Sequence, residues 1–336
     1  MLWRRTLLDI FSGSFLFSSL AILVLGWGEE DLIASPTSLW YLLCFIIVSA
    51  GLSFLLNYKK IRTWGEVLFG PTVSQESPPW YRTFWAWQFL ITFVAALIVA
   101  SIKTDFSFIE ILDQQGFSGA IRLFQGMLDP NWSLLPRAIL NIIETIFMAF
   151  LATTLAIPFA FILSFFCARN IMRGPMAFSI YFVLRTFLNV VRSIEALIWA
   201  IIFSVWVGIG PFAGMLALMI HSIASLAKQY SEMVESVEEG PIEAIESTGA
   251  NKLQCIWFAI VPQVLLPYIS FTVYRWDINV RMATVIGLVG GGGIGTMLIQ
   301  YQGQAMWREV GCIIFVIAVV VWALDQASAY IREALK

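Results

Sequence analysis

The sequence predicts an all-α integral membrane protein that crosses the bilayer with about eight helices. Composition points there first: of 336 residues 59% are hydrophobic and only 12% charged, against about 25% charged in an average soluble domain. Patterning points the same way. The apolar residues gather into runs near the roughly 20 residues that a helix needs to span the hydrocarbon core.

The candidate spans fall at 10–27, 38–56, 84–102, 139–167, 193–209, 212–228, 260–277 and 308–330. The stretch 176–191 carries Arg185 and reads either as an interfacial helix or as the start of one long helix. Positive charge precedes the first span (Arg4, Arg5), follows the second (Lys59, Lys60, Arg62) and the fourth (Arg169, Arg173), and returns at Lys252, Arg332 and Lys336. The connection 28–37 is instead acidic, with Glu29, Glu30 and Asp31. Cytoplasmic loops carry the excess of lysine and arginine, so both termini and the polar segment 239–259 are expected in the cytoplasm of a multi-pass membrane protein. Trp3-Arg4-Arg5 could head a signal peptide, but the apolar stretch after it is long and lacks a clean cleavage site, which favours a retained helix.

Cys44, Cys167, Cys255 and Cys312 are scattered without a CxxC pair, and His221 is the one histidine, so neither a metal site nor a disulfide framework is expected, and no cofactor. With a formal net charge of −2 and no basic cluster, nothing suggests nucleic acid. Two pieces are expected: a two-helix unit at 1–70, a polar linker at 71–83, and the remainder, 84–336. The connection 103–137 carries Asp105, Glu110, Asp113 and Asp129, is interrupted by Pro130 and Pro136, and is polar enough to lie outside the bilayer. No internal repeat of the kind secondary transporters carry is visible.

The segment 239–262, EGPIEAIESTGANKLQCIWFAIVP with Glu239 first, sits between apolar runs and carries no catalytic group. Pro241 suits the first turn of a helix, where its missing N–H is harmless. Glu243 then falls in that first turn, where a carboxylate favours the positive helix end. Gly249 suits a left-handed C-terminal cap. Asn251 can cap a second helix running to about 259, and Pro262 marks the start of the next span. Two short helices hinged at a glycine make a knob with Glu243, Glu246 and Lys252 on its outer face. Glu243-Ala244, Gly249 and Pro262, in this register, resemble the EAA loop of ABC-importer permeases. The resemblance implies that the segment docks on a cytoplasmic ATPase and passes its movement to the membrane helices. The chain has no G-x-x-x-x-G-K-[ST] phosphate loop of its own, and Gly290-x-Gly292-x-x-Gly295 lacks the strand and acidic partner of a dinucleotide site.

Residues 274–295 read YRWDINVRMATVIGLVGGGGIG. Arg275, Asp277 and Arg281 are placed near a membrane helix end, where ionisable groups are expensive unless paired or facing water. Asp277 and Arg281 are spaced to pair on a helix, which leaves Arg275 unmatched and the local balance positive. Direct contact with an anion and a structural network both fit. The small residues from Thr284 to Gly295 allow close helix approach, and could form a gate, a seam between subunits or a flexible loop. His221, Ser225, Lys228, Gln229 and Glu232 share one helix face, and Arg192 and Glu195 are spaced to pair.

With 208–235, the run 274–295 resembles the permeases of phosphonate and phosphite ABC importers and their methionine-importer relatives, over about residues 84–333. That resemblance implies a type I importer core preceded by an N-terminal two-helix extension. It also implies a homodimer with two ATPase subunits and a periplasmic or lipid-anchored binding protein delivering a phosphorus oxyanion. Arg275, Asp277, Asn279, Arg281, Thr284 and His221 are then candidates for the pathway, and Gly290, Gly291, Gly292, Gly293 and Gly295 for the gate or subunit seam. A permease for methionine or another small solute, or a secondary transporter, are the alternatives.

Overall fold

The computed structural model describes residues 2–25, 36–69 and 79–334, and the described chain divides into two units, Met1–Phe117 and Ser118–Lys336. The acidic run Glu29–Asp31, most of the expected linker at 71–83 and Lys336 lie outside the described residues.

In the first unit α1 (Leu2–Leu25) and α2 (Pro36–Tyr58) pair antiparallel: Gly13 lies against Ser49, and Phe17 stacks on Phe45 with ring centroids 6.3 Å apart. One buried acid ties this pair to the short α3 (Trp64–Phe69) and to α4 (Phe84–Lys103). Asp9 accepts hydrogen bonds from the Thr63 hydroxyl at 2.6 Å, the Gly65 N–H at 3.3 Å and the Gln88 amide at 3.4 Å. A buried carboxylate survives only with such partners, and α3 needs acceptors for its first N–H groups. A Cβ at Gly65 would stand 2.6 Å from the Arg5 carbonyl, so this contact requires glycine. The sequence pattern groups Phe84–Lys103 with the residues after the linker; in the structure α4 belongs to the same unit as the hairpin. The expected polar connection 103–137 holds two helices, α5 (Phe108–Ile111) and the amphipathic α6 (Gln114–Leu128), and Pro136 sits in the first turn of the following helix, Leu135–Phe166, rather than in a loop.

The second unit is built on α7 (Leu135–Phe166), α10 (Pro211–Glu235) and α13 (Val261–Ile286), with α15 (Trp307–Ala334) beside α13. Inward positions on α7 recur at helical spacing and are small: Ala138, Thr145, Ala149, Ala152, Ala156 and Ala160. Those on α10 match them: Ala213, Gly214, Ala217, Ala224 and Ala227. Among lipid tails, helices gain nothing from hydrophobic exclusion and associate by close packing, which small residues permit. Bulky residues of α7 such as Phe147 and Phe159 point outward. Contacts Thr153–Asn279 and Ser164–Tyr268 run in opposite numerical order on α7 and α13, so those two helices are antiparallel. His221–Arg275 and Tyr230–Tyr268 set α10 antiparallel to α13 in the same way.

Among the described residues six helical stretches are long and apolar enough to cross a membrane, against the eight expected, or seven if one bent pair counts as a span. That pair is α8 (Pro175–Ser193) and α9 (Ala196–Val207), which meet at 89°. Ile194 and Glu195 between them are extended. Residues 176–191 therefore do not open one long helix, and 193–209 is not a straight span. The same break explains why no ion pair joins Arg192 to Glu195 among the described residues: three-residue spacing aligns two side chains only on a continuous helix. The span expected to end at 277 runs on to Ile286, because nothing before Gly287 interrupts it.

If the α7–α10 crossing depends on small residues, Ala152→Leu should overpack it at a cost of about 1–3 kcal/mol. A melt of the detergent-solubilised protein should show a lower Tm, while Phe147→Leu on the exposed face leaves it unchanged. Equal melting of both variants would contradict this packing.

Candidate functional site

Two sites stand out in the second unit, an exposed elbow before α13 and a buried polar cluster within it. The elbow starts with α11 (Glu239–Glu246) and turns at Gly249, whose φ of +81° lies in the left-handed region. A Cβ there would meet nothing within 4 Å, so the glycine answers a backbone demand and not a steric one. Asn251 then caps α12 (Lys252–Cys255) in a reciprocal box: its side chain accepts from the Gln254 N–H at 3.0 Å, and the Gln254 side chain accepts from the Asn251 N–H at 2.8 Å.

Two details depart from the sequence-based expectation. The first-turn acid of α11 is Glu239, and Glu243 lies one turn later, because the helix begins two residues before Pro241. The second helix does not run to 259. It widens after Cys255 into a π turn, Ile256–Ile260, and flows into α13 with Pro262 in the first turn. Prolines at 262 and 267 donate no N–H to the preceding turns, and a π turn is one way a helix absorbs such gaps. Gln263 stitches the junction: its amide donates to the Ala259 carbonyl at 2.9 Å and accepts from the Glu238 N–H at 3.0 Å.

Glu243 and Ala244 are both exposed at the surface. Glu243, Glu246 and Lys252 are all exposed. With Glu239, Glu235, Asn170 and Arg173 they line a cleft of about 310 Å³ under the elbow.

The second site is assembled from three helices. Arg275, 7% exposed, donates from Nε to the Ser222 hydroxyl at 3.2 Å, and its Nη2 contacts His221 Nδ1. Asn279, one turn on, donates to Ser222 at 2.7 Å and to Thr153 at 2.8 Å, while its Oδ1 is buried without a partner among the described residues. The hydropathy pattern puts Arg275 near a helix end; it lies in mid-helix, held by neutral groups. Among the described residues no carboxylate comes within 4 Å of it; Glu195 acts on it electrostatically from further off. Asp277 is buried and paired with Arg281 on its own helix, and Arg281 also approaches Asp325 of α15 at 3.9 Å. Arg275 and Asp277 thus serve separate groups. Thr284 is half-buried and donates to the Arg281 carbonyl at 2.7 Å.

The expected polar stripe on α10 also divides: His221 joins Arg275, Ser225 is buried, and Lys228 pairs with Glu232 at 3.7 Å. Ser222 and Thr153 are hydrogen-bond partners in the cluster that sequence reasoning misses; hydroxyls inside apolar helices are the one signal available for them.

Gly290 to Gly295 are packed within the chain itself. A Cβ at Gly291 would lie 2.3 Å from Ile286, at Gly292 2.6 Å from Pro211, and at Gly295 2.0 Å from the Thr284 carbonyl. At Gly293, with φ +68°, it would strike the Thr145 hydroxyl at 2.3 Å. That hydroxyl accepts from the Ile294 N–H at 2.9 Å, so α7 caps the start of α14 (Gly293–Gly303). A loop closed this tightly is not free to flex as an isolated segment.

A family model described as "Binding-protein-dependent transport system inner membrane component" matches residues 160–335. The chain is 36% identical over 209 residues to the phosphite transport system permease protein PtxC of Stutzerimonas stutzeri, covering 62% of this chain and 75% of that protein. It is 43% identical over 168 residues to the putative phosphite transport system permease protein HtxE of the same organism, covering 50% and 64%. Its fold resembles that of a solved chain of the MetNI methionine ABC transporter in inward-facing conformations, with a TM-score of 0.51 at 22% identity over 60% of this chain and 96% of that one. The matched region includes the elbow and, apart from Thr153, the Arg275 cluster, and the chain belongs to the inner-membrane components of binding-protein-dependent transport systems.

Proposed function

We propose that this chain is the permease of an ATP-driven importer, forming the membrane pathway for phosphonate, phosphite or a related phosphorus oxyanion. The observation that carries the mechanical part is the elbow: exposed, hinged at Gly249, capped by Asn251 and continuous through the π turn with α13. A rigid body docked on α11 would push or pull α13 directly, because no long loop intervenes to absorb the movement. The chain carries no phosphate-binding loop, so a partner supplies ATP hydrolysis.

Two ATPase subunits, one on the elbow of each of two permease copies, would drive alternating access. A binding protein on the opposite side would deliver substrate. In this reading both chain ends and the elbow face the cytoplasm, in keeping with Arg4, Arg5, Lys59, Lys60, Arg169, Arg173 and Arg332. Residues 1–70, or the larger unit through Phe117, are an accessory element outside the transport core.

Anion preference is supported by Arg275. Asp277 and Arg281 neutralise each other, leaving at the centre of α13 a guanidinium held by Ser222 and His221. A buried cation without a touching carboxylate lowers the barrier to a passing oxyanion. The relatives named for phosphite transport support the phosphorus class. The glycine turn at 290–295, packed against α7 and α10, is suited to a hinge or subunit seam only as a unit moving with those helices.

Gly249→Arg or Glu243→Arg in the reconstituted importer should abolish the ATP hydrolysis that the loaded binding protein stimulates; stimulation at the unmodified level would refute docking at the elbow. Arg275→Ala should cut phosphite uptake at least tenfold with the ATPase still co-purifying. Undiminished uptake would remove Arg275 from the pathway.

A further inference from the structure

Four residues before the elbow, the end of α10 is held by a second set of contacts that the docking reading does not use. Glu235 Oε1 accepts from Arg185 Nη1 at 2.6 Å and from the Arg169 N–H at 2.9 Å. The same guanidinium nitrogen reaches the Cys167 carbonyl at 3.2 Å and the Tyr181 hydroxyl at 3.0 Å, and the guanidinium lies 5.4 Å from the Tyr181 ring centroid. Asn170 adds a bond to the Val234 carbonyl at 2.7 Å, taking up one of the acceptors left open at the end of α10. One arginine on α8 thus joins the end of α7, its own helix and the last turn of α10. Glu235 is the acceptor on which both N–H donors converge.

The pair is only partly exposed, at 26% for Arg185 and 28% for Glu235. An exposed ion pair contributes little. This one is charge-assisted, bonded at several points and backed by a ring. Its position matters more than its strength. On one side of the elbow, Gln263 ties Glu238 to α13. On the other, Glu235 ties α10 to α8. From Arg185, α8 runs to the 89° bend, and at that bend stands Glu195, the carboxylate acting on Arg275.

We infer that Arg185 and Glu235 are positioning residues of the transport cycle: they lock α8 to the root of the elbow, so that a displacement there is delivered to the bent pair α8–α9 as well as to α13. Without the lock, the elbow would still bind the ATPase and move α13, but α8 would lag. ATP would then be hydrolysed without proportionate transport. The inference rests on docking at the elbow and adds a second output to it.

The test uses the whole importer in proteoliposomes, with its ATPase and binding protein and with phosphite as the transported probe, and reads ATP hydrolysed per phosphite taken up. Arg185→Gln and Glu235→Gln should each raise that ratio at least threefold while the ATPase co-purifies in unchanged amount. The double variant should be no worse than either single one, since both remove the same contact, and Arg185→Lys should recover part of the coupling. An unchanged ratio, additive effects of the two substitutions, or loss of ATPase association would each overturn the inference, the last by reducing the pair to a folding contact. Gly249→Arg, run in parallel, separates the two readings. If it leaves stimulated hydrolysis at the unmodified level, docking itself has failed; if it abolishes stimulation while the Arg185 and Glu235 variants leave the ratio unchanged, only the lock has.

Discussion

Inside a bilayer a polar group must find its partner within the protein, and the arrangement of the second unit follows from that constraint. The Arg275 guanidinium and the Asn279 amide nitrogen on α13 find partners in Ser222 and His221 on α10 and in Thr153 on α7. These bonds fix the register of three helices at once, because each hydroxyl must arrive at a particular height. Small residues then let the backbones close to the distance the bonds require. Replace the alanines of α7 with larger residues, and the hydroxyl of Thr153 no longer reaches Asn279. Packing and polarity are one problem here, not two.

The same constraint places irregular backbone where it can be tolerated. The elbow is exposed, so its short helices can end and turn with caps from Asn251 and Gln254 and a left-handed glycine. Beyond the far end of α13 lies the glycine run, and from Gly291 to Gly295 the space of most missing Cβ atoms is filled by backbone or side chain from α7, α10 or α13. In the proposed cycle, movement entering at the elbow would meet a continuous helix and a closed turn, and would be passed on because little there is soft.

How much of this is legible in the sequence depends on whether the cue is local. The elbow is legible, since Gly249, Asn251 and Pro262 each impose a backbone rule that needs no knowledge of neighbours. Gly174-Pro175 and Gly210-Pro211 likewise mark helix starts that the structure has. The break at Ile194–Glu195 is not legible: it contains neither glycine nor proline, and the helices on either side of it each pack against α10. Continuous-helix spacing therefore pairs Arg192 with Glu195 where the structure does not. Arg275 is conspicuous as a charge in an apolar run, but hydropathy misplaces its depth because the apolar run ends at 277 and the helix does not. Its partners lie 53 and 54 residues away on α10, and Asn279 reaches Thr153 across 126 residues; no local pattern announces such meetings. The Asp277–Arg281 pair, four residues apart on one helix, is the part of the cluster that local spacing can reach.

Everything mechanical depends on the elbow being the place where an ATPase touches this chain. A photo-activated cross-linker placed at Ala244, in membranes containing the assembled importer, tests this directly. One dominant adduct with the ATPase is predicted, lost when Gly249 is also replaced by arginine. A complex that co-purifies intact while Ala244 yields no ATPase adduct would contradict it.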